Sequence, residues 1–305
     1  MQSRCMKSLH DIHPLVQTAQ DLELRGFTRH AVRQKVSRGE IVRIRRGVYV
    51  PSQSWSSLLP SERYVAQLVA HSKGMGARTV FSHQSAAALY GFAQLTVPER
   101  IHVAAPNSKA HSSPGVTVHG LTSKPQEIAG IPVTSAIQTV VDCCRVLDLR
   151  HALVLADSSL RAGVLYPDLL TCLRQATGRG SNRLQRLADL VNPLSESAGE
   201  SLVVYFLDEF GFPPCQQQVW VEGGGRRYRP DFMWPECMII LEFDGNIKYA
   251  GSNREQVFGQ QNEREAWLRG RGYNVVRTNW HEVIYRPHLL AEKLKRAFAA
   301  TGVYL

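Results

Sequence analysis

The sequence lacks the cysteine and histidine spacings that hold a structural metal or form a disulfide framework. Its six cysteines are scattered without a C-x-x-C pair, and its eleven histidines show neither H-x-x-x-H nor H-E-x-x-H spacing. This argues against the common zinc-binding patterns and favours reduced, buried or incidental cysteines.

Long apolar runs are also absent. No stretch approaches the roughly 18 consecutive apolar residues that a membrane-spanning helix requires. Residues 1–16 contain charged residues and no apolar run, so no secretory signal is predicted there. We therefore expect a cytoplasmic protein that has no membrane partner.

Acidic residues are fewer than basic ones. The chain contains 26 Asp and Glu against 36 Lys and Arg, a formal net charge of +10. The excess is concentrated in residues 1–50, which hold ten basic and four acidic residues and thus a net charge of +6. A basic segment favours a polyanionic partner, because each neutralised phosphate releases condensed counterions. The charge distribution therefore predicts nucleic-acid binding by the N-terminal segment.

Residues 1–52 have the pattern of a winged helix-turn-helix. Helices are predicted over residues 13–25 and, after the N-cap residue Thr28, over residues 29–38. A basic two-stranded ribbon is predicted over residues 40–50. In this class of fold the second helix enters the major groove and the ribbon lies along the DNA backbone. The side chains predicted to contact DNA are Arg29, Arg33, Lys35, Arg38, Arg43, Arg45 and Arg46. The alternative is a solvated basic face on a small helical subdomain.

Residues 53–192 are predicted to form a mixed α/β middle region without a pattern that demands catalysis. Helices are predicted over residues 61–72, 85–90, 135–147 and 150–162, and strands over residues 100–104 and 116–119. Three histidines, His83, His102 and His119, lie in separate segments beside apolar runs. Isolated histidines of this kind are more often core or surface residues than ligands, and we interpret them so.

Residues 193–305 follow the element order αβββαβα. The predicted elements are a helix over residues 195–210, strands over 216–221, 227–234 and 238–244, a helix over 253–271, a strand over 273–280 and a helix over 287–300. The third strand is apolar, as is typical of a buried central strand. The tryptophans interpreted as core residues are Trp220, Trp234, Trp267 and Trp280. The whole chain is therefore predicted to be an α/β (α+β) multidomain protein with domains 1–52, 53–192 and 193–305.

Acidic side chains stand in the last domain where buried strands end. Asp231 follows Pro230 on the second strand, and Glu242 and Asp244 end the third strand on one face, two residues apart. Carboxylates at such positions are costly unless they are paired or hold a cation. We expect Asp231 and Glu242 to converge on Mg²⁺ or Mn²⁺, with Glu200 on the preceding helix facing the same end. Such a cation activates water for attack at phosphorus, so the pattern predicts cleavage of phosphodiester bonds.

The N-terminal and middle segments resemble AbiEi-type antitoxins of type IV toxin–antitoxin systems. The matching strings are residues 26–49 (GFTRHAVRQKVSRGEIVRIRRGVY), 81–91 (FSHQSAAALYG) and 130–142 (GIPVTSAIQTVVD). The resemblance implies a DNA-binding, autoregulatory front half, and it implies a cognate toxin as a partner.

The C-terminal third resembles the PD-(D/E)XK nuclease superfamily, and more narrowly the very-short-patch-repair-like endonuclease domains of actinobacterial proteins. The matching strings are residues 197–201 (SAGES), 229–232 (RPDF), 241–249 (LEFDGNIKY), 264–265 (RE) and 272–277 (GYNVVR). The resemblance implies a restriction-endonuclease-like fold. It also implies that Asp231 and Glu242 are metal ligands and that Glu200 is an accessory acid.

One position departs from the superfamily's pattern. Asp244 stands where the superfamily usually has a lysine. Three alternatives follow: Lys248 supplies the positive charge, Asp244 joins the metal site, or cleavage is impaired. The candidate catalytic residues are Asp231, Glu242, Asp244, Lys248 and Glu200.

The sequence thus leads to one main hypothesis and one rival. The first is a DNA-binding protein with a Mg²⁺-dependent endonuclease domain. The rival is a non-catalytic transcriptional autoregulator or antitoxin that keeps a degenerate nuclease fold. Both predict salt-sensitive DNA binding, but only the first predicts metal-dependent cleavage. An RNA substrate is also compatible with the sequence.

Overall fold

A computed structural model describes residues 6–74, 79–106, 113–245 and 254–304 of the chain. The structure is mixed α/β with several separate sheets. Within the described ranges the chain forms two compact units, residues 6–189 and residues 190–304. The predicted boundary at 192/193 lies within three residues of this division. None of the described helices is both long and apolar enough to cross a membrane.

The first unit begins with short helices and a three-stranded sheet. Its first elements are α1 Leu9–Ile12, a 3₁₀ turn His13–Leu15, β1 Gln17–Thr18, α2 Ala19–Leu24, α3 Arg29–Ser37, β2 Ile41–Arg45 and β3 Val48–Pro51. The strand order is β1-β3-β2, with both pairs antiparallel. The predicted basic helix and the predicted ribbon are confirmed by α3 and by the β2–β3 hairpin.

The single helix predicted over residues 13–25 is wrong. Gln17 pairs with Tyr49 of β3, so the chain is extended there. Thr18 then caps α2: its hydroxyl accepts from the amide of Asp21, whose carboxylate accepts from the amide of Thr18. This reciprocal capping satisfies two amide groups that would otherwise be orphaned, and it begins the helix six residues later than predicted.

The rest of the first unit surrounds a five-stranded sheet in the order β6-β5-β4-β8-β7. Its strands are β4 Val80–Phe81, β5 Ile101–Ala105, β6 Val116–Gly120, β7 Gln126–Ile128 and β8 Ile131–Val133. Its helices are α4 Ser52–Ser57, α5 Pro60–Gly74, α6 His83–Tyr90, α7 Ala136–Val146, α8 Leu149–Arg161, α9 Tyr166–Arg174 and α10 Ser181–Leu190. The four helices and two strands predicted for the middle region are confirmed.

One hydrophobic core joins the small N-terminal sheet to the middle region. Ile12 and Val50 are fully buried and belong to the same cluster as Leu68 of α5 and Phe81 of β4. The predicted boundary at 52/53 therefore falls inside a compact unit. The physical reason is that the N-terminal segment is too small to cover its own apolar side chains, and α5 covers them.

The second unit contains a four-stranded sheet in the order β14-β13-β12-β9 and a separate β10–β11 hairpin. Its strands are β9 Gln216–Gln217, β10 Val221–Gly223, β11 Arg226–Tyr228, β12 Phe232–Trp234, β13 Ile239–Asp244 and β14 Asn274–Asn279. Its helices are α11 Ala198–Glu209, α12 Arg254–Arg269, α13 Trp280–Tyr285 and α14 Pro287–Ala299, with a 3₁₀ turn at Pro235–Cys237.

The predicted element order is present, but two predicted strands are each divided. Residues 216–221 split into β9 and β10 because Gln218 adopts the left-handed backbone conformation, with φ of 55°. Residues 227–234 split into β11 and β12 around Pro230, which has no amide hydrogen to donate to a strand ladder. The hairpin therefore leaves the main sheet, and Trp220 at its base is 49% exposed. The interpretation of Trp220 as a core residue is wrong, whereas Trp234 on β12 is buried.

The third predicted strand is confirmed as a central strand. β13 pairs antiparallel with β12 on one side and parallel with β14 on the other. Its residues Ile239, Ile240 and Leu241 are fully buried. The side chains that follow Leu241 on β13 stand at the end of this buried strand.

Candidate active site

Asp231, directly before β12, and Glu242, on β13, stand opposite each other. β12 and β13 pair with Phe232 opposite Leu241, so Asp231 and Glu242 are the next pair along the same antiparallel register. Side chains directly opposite each other in antiparallel strands lie on the same face. Both residues line one pocket of about 240 Å³. The structure thus brings together the two carboxylates that the sequence singled out.

Glu242 is a buried acid with one cationic partner. Its residue is 9% exposed, and Nη2 of Arg264 on α12 donates to its Oε1 at 2.7 Å. Burial raises the pKa of Glu242 to about 8, and the nearby Arg264 opposes this rise only in part. Nε of Arg264 is buried without a hydrogen-bond partner among the described residues. Arg264 therefore keeps an unused donor beside the pocket.

Asp231 is held by the backbone of the neighbouring strand. The amide of Phe243 donates to its Oδ2 at 2.8 Å, and Nε2 of Gln218 lies 3.4 Å from its Oδ1. Burial raises the pKa of Asp231 to about 6, and the nearby Glu200 raises it further. The amide of Phe243 lowers it. These contacts fix the direction of the Asp231 carboxylate toward β13.

Glu200 lies near Asp231, but its carboxylate accepts hydrogen bonds from residues just before α11. Its carboxylate accepts from the amide of Glu196 at 2.9 Å and from the hydroxyl of Ser197 at 2.7 Å. Nε2 of Gln218 also donates to Glu200 at 3.1 Å, so Gln218 bridges Glu200 and Asp231. Glu200 does not line the pocket among the described residues. These contacts hold the Glu200 side chain at the start of α11, beside Gln218.

Asp244 lines the same pocket, and both of its carboxylate oxygens accept hydrogen bonds. Both of its oxygens accept from Arg277 on β14, and Nε2 of Gln261 donates to Oδ1 at 3.0 Å. Arg277 also approaches Glu265 of α12 at 3.4 Å. The pKa of Arg277 is raised by its hydrogen bonds to Asp244, although burial opposes this. Lys248, the candidate source of positive charge, lies outside the described residues.

The pocket has an excess of negative charge. Four carboxylates line it, those of Asp231, Glu242, Asp244 and Glu265, together with the guanidinium groups of Arg264 and Arg277. With all groups ionised the lining carries a formal charge of −2. Among the described residues, no group of three or more metal-ligating side chains was found. Mg²⁺ does not require such a group, because it commonly keeps several waters and uses one or two carboxylates. Asp231 and Glu242 offer the carboxylate oxygens that a hard divalent cation prefers.

Several residues of this site were not assigned a role from the sequence. Arg264, Arg277 and Gln261 reach the pocket from α12 and β14, more than 15 residues after Asp244. Gln218 reaches Asp231 from the interrupted first strand. No local spacing in the sequence connects these residues to the acids. In the structure, the left-handed backbone of Gln218, which is unusual for a residue other than glycine, marks a strained position.

The basic residues predicted to bind DNA fall into two groups. Arg33 on α3, Arg43 on β2 and Arg46 in the β2–β3 turn are exposed and form no ion pair with any described residue. The other group has acidic or aromatic partners. Lys35 bonds Glu40 at 2.6 Å, Arg38 lies 3.9 Å from Glu40, and the 88% exposed side chain of Arg29 lies 3.4 Å from Glu23.

Arg45 does not belong to the exposed basic surface. Its Nη1 bonds Nδ1 of His71 at 2.9 Å and the carbonyl oxygen of His71 at 3.3 Å. The guanidinium lies against Gly74 at the end of α5. This placement gives Arg45 a structural partner, because β2 bulges between Arg43 and Arg45 and turns the latter toward α5. Its predicted contact with DNA stays a prediction.

The sequence suggested that the three histidines of the middle region are isolated, but in the structure they lie together. The rings of His83 and His119 are stacked with centroids 3.6 Å apart, and Nδ1 of His102 bonds Nε2 of His119 at 3.0 Å. Burial lowers the pKa of His83 to about 3 and that of His102 to about 4. Nearly parallel stacked rings do not direct their nitrogens at a common point, so we interpret the cluster as a neutral, partly buried structural feature.

This histidine cluster predicts a loss of stability in mild acid. Because the pKa values are lowered, the unfolded chain binds protons more tightly than the folded one. The stabilisation is present above pH 6.5 and is lost as the pH falls toward 4. We expect the free energy of unfolding of the first unit to fall by roughly 2–3 kcal/mol between pH 7 and pH 5, measured by urea denaturation.

A His83→Asn variant tests the origin of this effect. His83 has φ of 49°, a conformation that asparagine tolerates, and asparagine does not titrate. The variant is expected to lose part of the decline between pH 7 and pH 5. If its pH profile were parallel to that of the unaltered protein, the histidine cluster would not be the source of the acid sensitivity.

Comparison with known proteins does not assign the chain to a family. No family model matches it. It is 27% identical over 275 residues to the uncharacterised proteins Rv2248 and MT2308 of two Mycobacterium tuberculosis strains, covering 88% of this chain and 97% of each relative. Among solved structures, the Rv2827c protein of Mycobacterium tuberculosis matches with a TM-score of 0.38 and 15% identity, over 71% of this chain and 86% of that one. This structural likeness is too low to transfer a fold or a function.

Proposed function

We propose that the chain is a DNA-binding protein whose second unit hydrolyses phosphodiester bonds with the help of a divalent cation. The observation that carries the proposal is that Asp231, directly before β12, and Glu242, on β13, line one pocket. The order of helices and strands in this unit supports a restriction-endonuclease-like fold of the PD-(D/E)XK type.

In this proposal Asp231 and Glu242 hold Mg²⁺ or Mn²⁺. When bound there, the cation supplies positive charge to the phosphate oxygens and activates water. The excess negative charge of the pocket supports a cation, since buried carboxylates side by side are costly without one. The amide of Phe243 keeps Asp231 oriented, and Gln218 ties Asp231 to the start of α11.

Two arginines line the same pocket as position 244, where the superfamily usually has a lysine. Asp244 occupies the usual lysine position, and Arg277 binds both of its oxygens. Arg264 brings a second guanidinium to Glu242. We propose that these two arginines, from α12 and β14, supply the positive charge that a lysine at position 244 would supply. A guanidinium suits this role, because its planar donors match phosphate oxygens.

The proposal is tested on supercoiled plasmid with purified protein. Nicking is expected in Mg²⁺ or Mn²⁺ and not in excess chelator. An Asp231→Ala variant, purified in parallel, should show no nicking above background. Equal nicking by both proteins would identify a contaminating nuclease and remove the support for catalysis.

The first unit is proposed to bind the duplex through α3 and the β2–β3 hairpin in the manner of a winged helix. Arg33, Arg43 and Arg46 are exposed there without an acidic partner among the described residues. This arrangement supports contact with phosphates, whereas the bonds of Arg45 to His71 support a structural role.

Two arginine variants separate these roles. Arg33→Ala is expected to weaken DNA binding roughly three- to tenfold and to lower the slope of log affinity against log salt by about 1. Arg45→Ala is expected to lower the free energy of unfolding by about 1–2 kcal/mol, because His71 loses its partner, with little change in the affinity of the folded protein. Titration by fluorescence anisotropy at three salt concentrations measures the first effect, and urea denaturation the second. If Arg45→Ala weakened DNA binding and Arg33→Ala lowered only the free energy of unfolding, the proposed DNA-binding surface would be contradicted.

A non-catalytic autoregulator, acting with or without a cognate toxin, is the second candidate. One observation favours it: Glu242 and Asp244 each bond a guanidinium group, which neutralises negative charge that a metal ion would otherwise neutralise. A footprint on the protein's own promoter that disappears in Arg33→Ala, without cleavage in any divalent metal, would decide for this candidate.

A further inference from the structure

An exposed tryptophan with two arginines stands at the base of the β10–β11 hairpin. Trp220 is 49% exposed. The guanidinium of Arg227 lies 4.6 Å from the centroid of its ring, and that of Arg229 lies 5.8 Å away. Both arginines are exposed. These three residues are called the Trp220 face.

The Trp220 face is basic as well as aromatic. Residues 220–229 include Arg226, Arg227 and Arg229 and a single acid, Glu222. Arg229 bonds Glu196 at 2.5 Å, and Arg226 bonds Glu263 at 2.8 Å. Arg227 has no acidic partner among the described residues. It therefore offers its charge to a bound anion beside the indole.

The Trp220 face adjoins the candidate active site through the chain and through one side chain. Asp231 follows Arg229 by two residues. The carbonyl oxygen of Arg229 accepts from Nη2 of Arg264 at 3.0 Å, and the same nitrogen donates to Glu242. Arg229 thus connects the two features: its carbonyl oxygen contacts Arg264 of the pocket, and its guanidinium lies near the Trp220 ring.

We infer that the Trp220 face stacks on an unpaired base of the DNA strand that the pocket binds. An indole ring stacks on any base, because every base has a π-face, whereas a base inside an intact duplex offers no free face. Arginine beside the ring adds attraction to the adjacent phosphate. The inference rests on the proposed function, and it names the substrate class of that site: DNA that is single-stranded or contains an unpaired nucleotide.

A simpler role for these contacts is stabilisation of the hairpin. In that case Trp220 and Arg227 contribute to the stability of the second unit, but they do not distinguish single strands from duplexes. The two roles therefore differ in a measurement of binding selectivity.

The test compares binding of a fluorescein-labelled 20-nucleotide single strand and of the same sequence as a duplex, in chelator and at constant salt. Trp220→Ala is expected to weaken binding of the single strand about tenfold, and binding of the duplex less than about twofold. Trp220→Phe, which keeps an aromatic face, should recover most of the single-strand affinity. Tyr285→Ala removes another exposed aromatic side chain of the same unit and should change neither affinity.

Equal weakening of single strand and duplex by Trp220→Ala, or unchanged binding of both, would overturn the inference. Thermal melting of each variant identifies a loss of folding. Because the measurement is made in chelator, it does not depend on cleavage. Selective loss of single-strand binding in a protein that never cleaves would overturn the nuclease proposal and leave the Trp220 face as a base-stacking site.

Discussion

Replacing Glu242 with glutamine is expected to reduce metal-dependent cleavage by on the order of 100-fold or more. The amide has nearly the same shape, and its oxygen still accepts from Arg264, which bonds Glu242 at 2.7 Å in the native protein. It removes only the negative charge that we propose holds the cation. Plasmid nicking in Mg²⁺ and Mn²⁺ measures the loss.

A second readout separates loss of the cation from loss of folding. A saturating divalent cation stabilises a protein that binds it only when folded, so Mn²⁺ should raise the melting temperature of the native protein. It should not raise that of Glu242→Gln, although both melt at similar temperatures in chelator.

Glu265→Gln is the matched control for this experiment. Glu265 lines the same pocket and pairs with Arg269 at 2.8 Å and Arg277 at 3.4 Å, but we assign it no metal. Its substitution removes one charge from the pocket and should change cleavage only a few-fold. If Glu265→Gln were as damaging as Glu242→Gln, the effect would be one of total charge, and the assignment of Glu242 as a ligand would fail.

The second large effect is expected from Gly199→Ala. A Cβ built on Gly199 of α11 would overlap the ring of Phe243 on β13. That ring also packs edge-on against Trp280, with centroids 5.4 Å apart, so it has little room to move. Overpacking of this kind is expected to lower the free energy of unfolding of the second unit by about 3 kcal/mol.

The same substitution should also disturb the site. The amide of Phe243 donates to Asp231, so a shift of Phe243 moves the donor that orients this carboxylate. Urea denaturation followed by tryptophan fluorescence reports on this unit, because four of the five tryptophans lie within it. We expect a lower midpoint together with lower cleavage at temperatures where the variant is folded.

Gly259→Ala provides the contrasting glycine. Gly259 lies within α12, and no described heavy atom lies within 4 Å of a Cβ built on it. Alanine is favoured over glycine in a helix by roughly 0.5–1 kcal/mol, so this variant should be slightly more stable. A midpoint for Gly199→Ala no lower than that of Gly259→Ala would show that the contact between α11 and Phe243 is loose.

The order of elements was largely predictable from local patterns. The basic helix α3 follows the capping residue Thr28, and the apolar run of β13 marks a central strand. Strand interruptions were harder to predict. Pro230 offered a visible signal, but the left-handed backbone of Gln218 has no sequence signature, because glutamine rarely adopts it.

Division into compact units was predictable only where the chain changes composition. The boundary near residue 190 coincides with the loop at residues 191–195 (VNPLS), which contains Asn, Pro and Ser. The predicted boundary at 52/53 lies where the winged-helix pattern ends. It does not divide two cores, because Val50 and Leu68 are buried in the same cluster. Which segment covers an apolar side chain depends on long-range packing.

The amino-acid sequence alone identified Asp231 and Glu242 as a pair, because strand periodicity and the cost of a buried carboxylate are both local facts. Folding decided which cations meet these acids: Arg264 and Arg277 come from elements far along the chain. It also decided that Arg45 turns inward and that Trp220 faces outward. Electrostatic partners and exposure depend on distances between segments, and a linear pattern does not contain those distances.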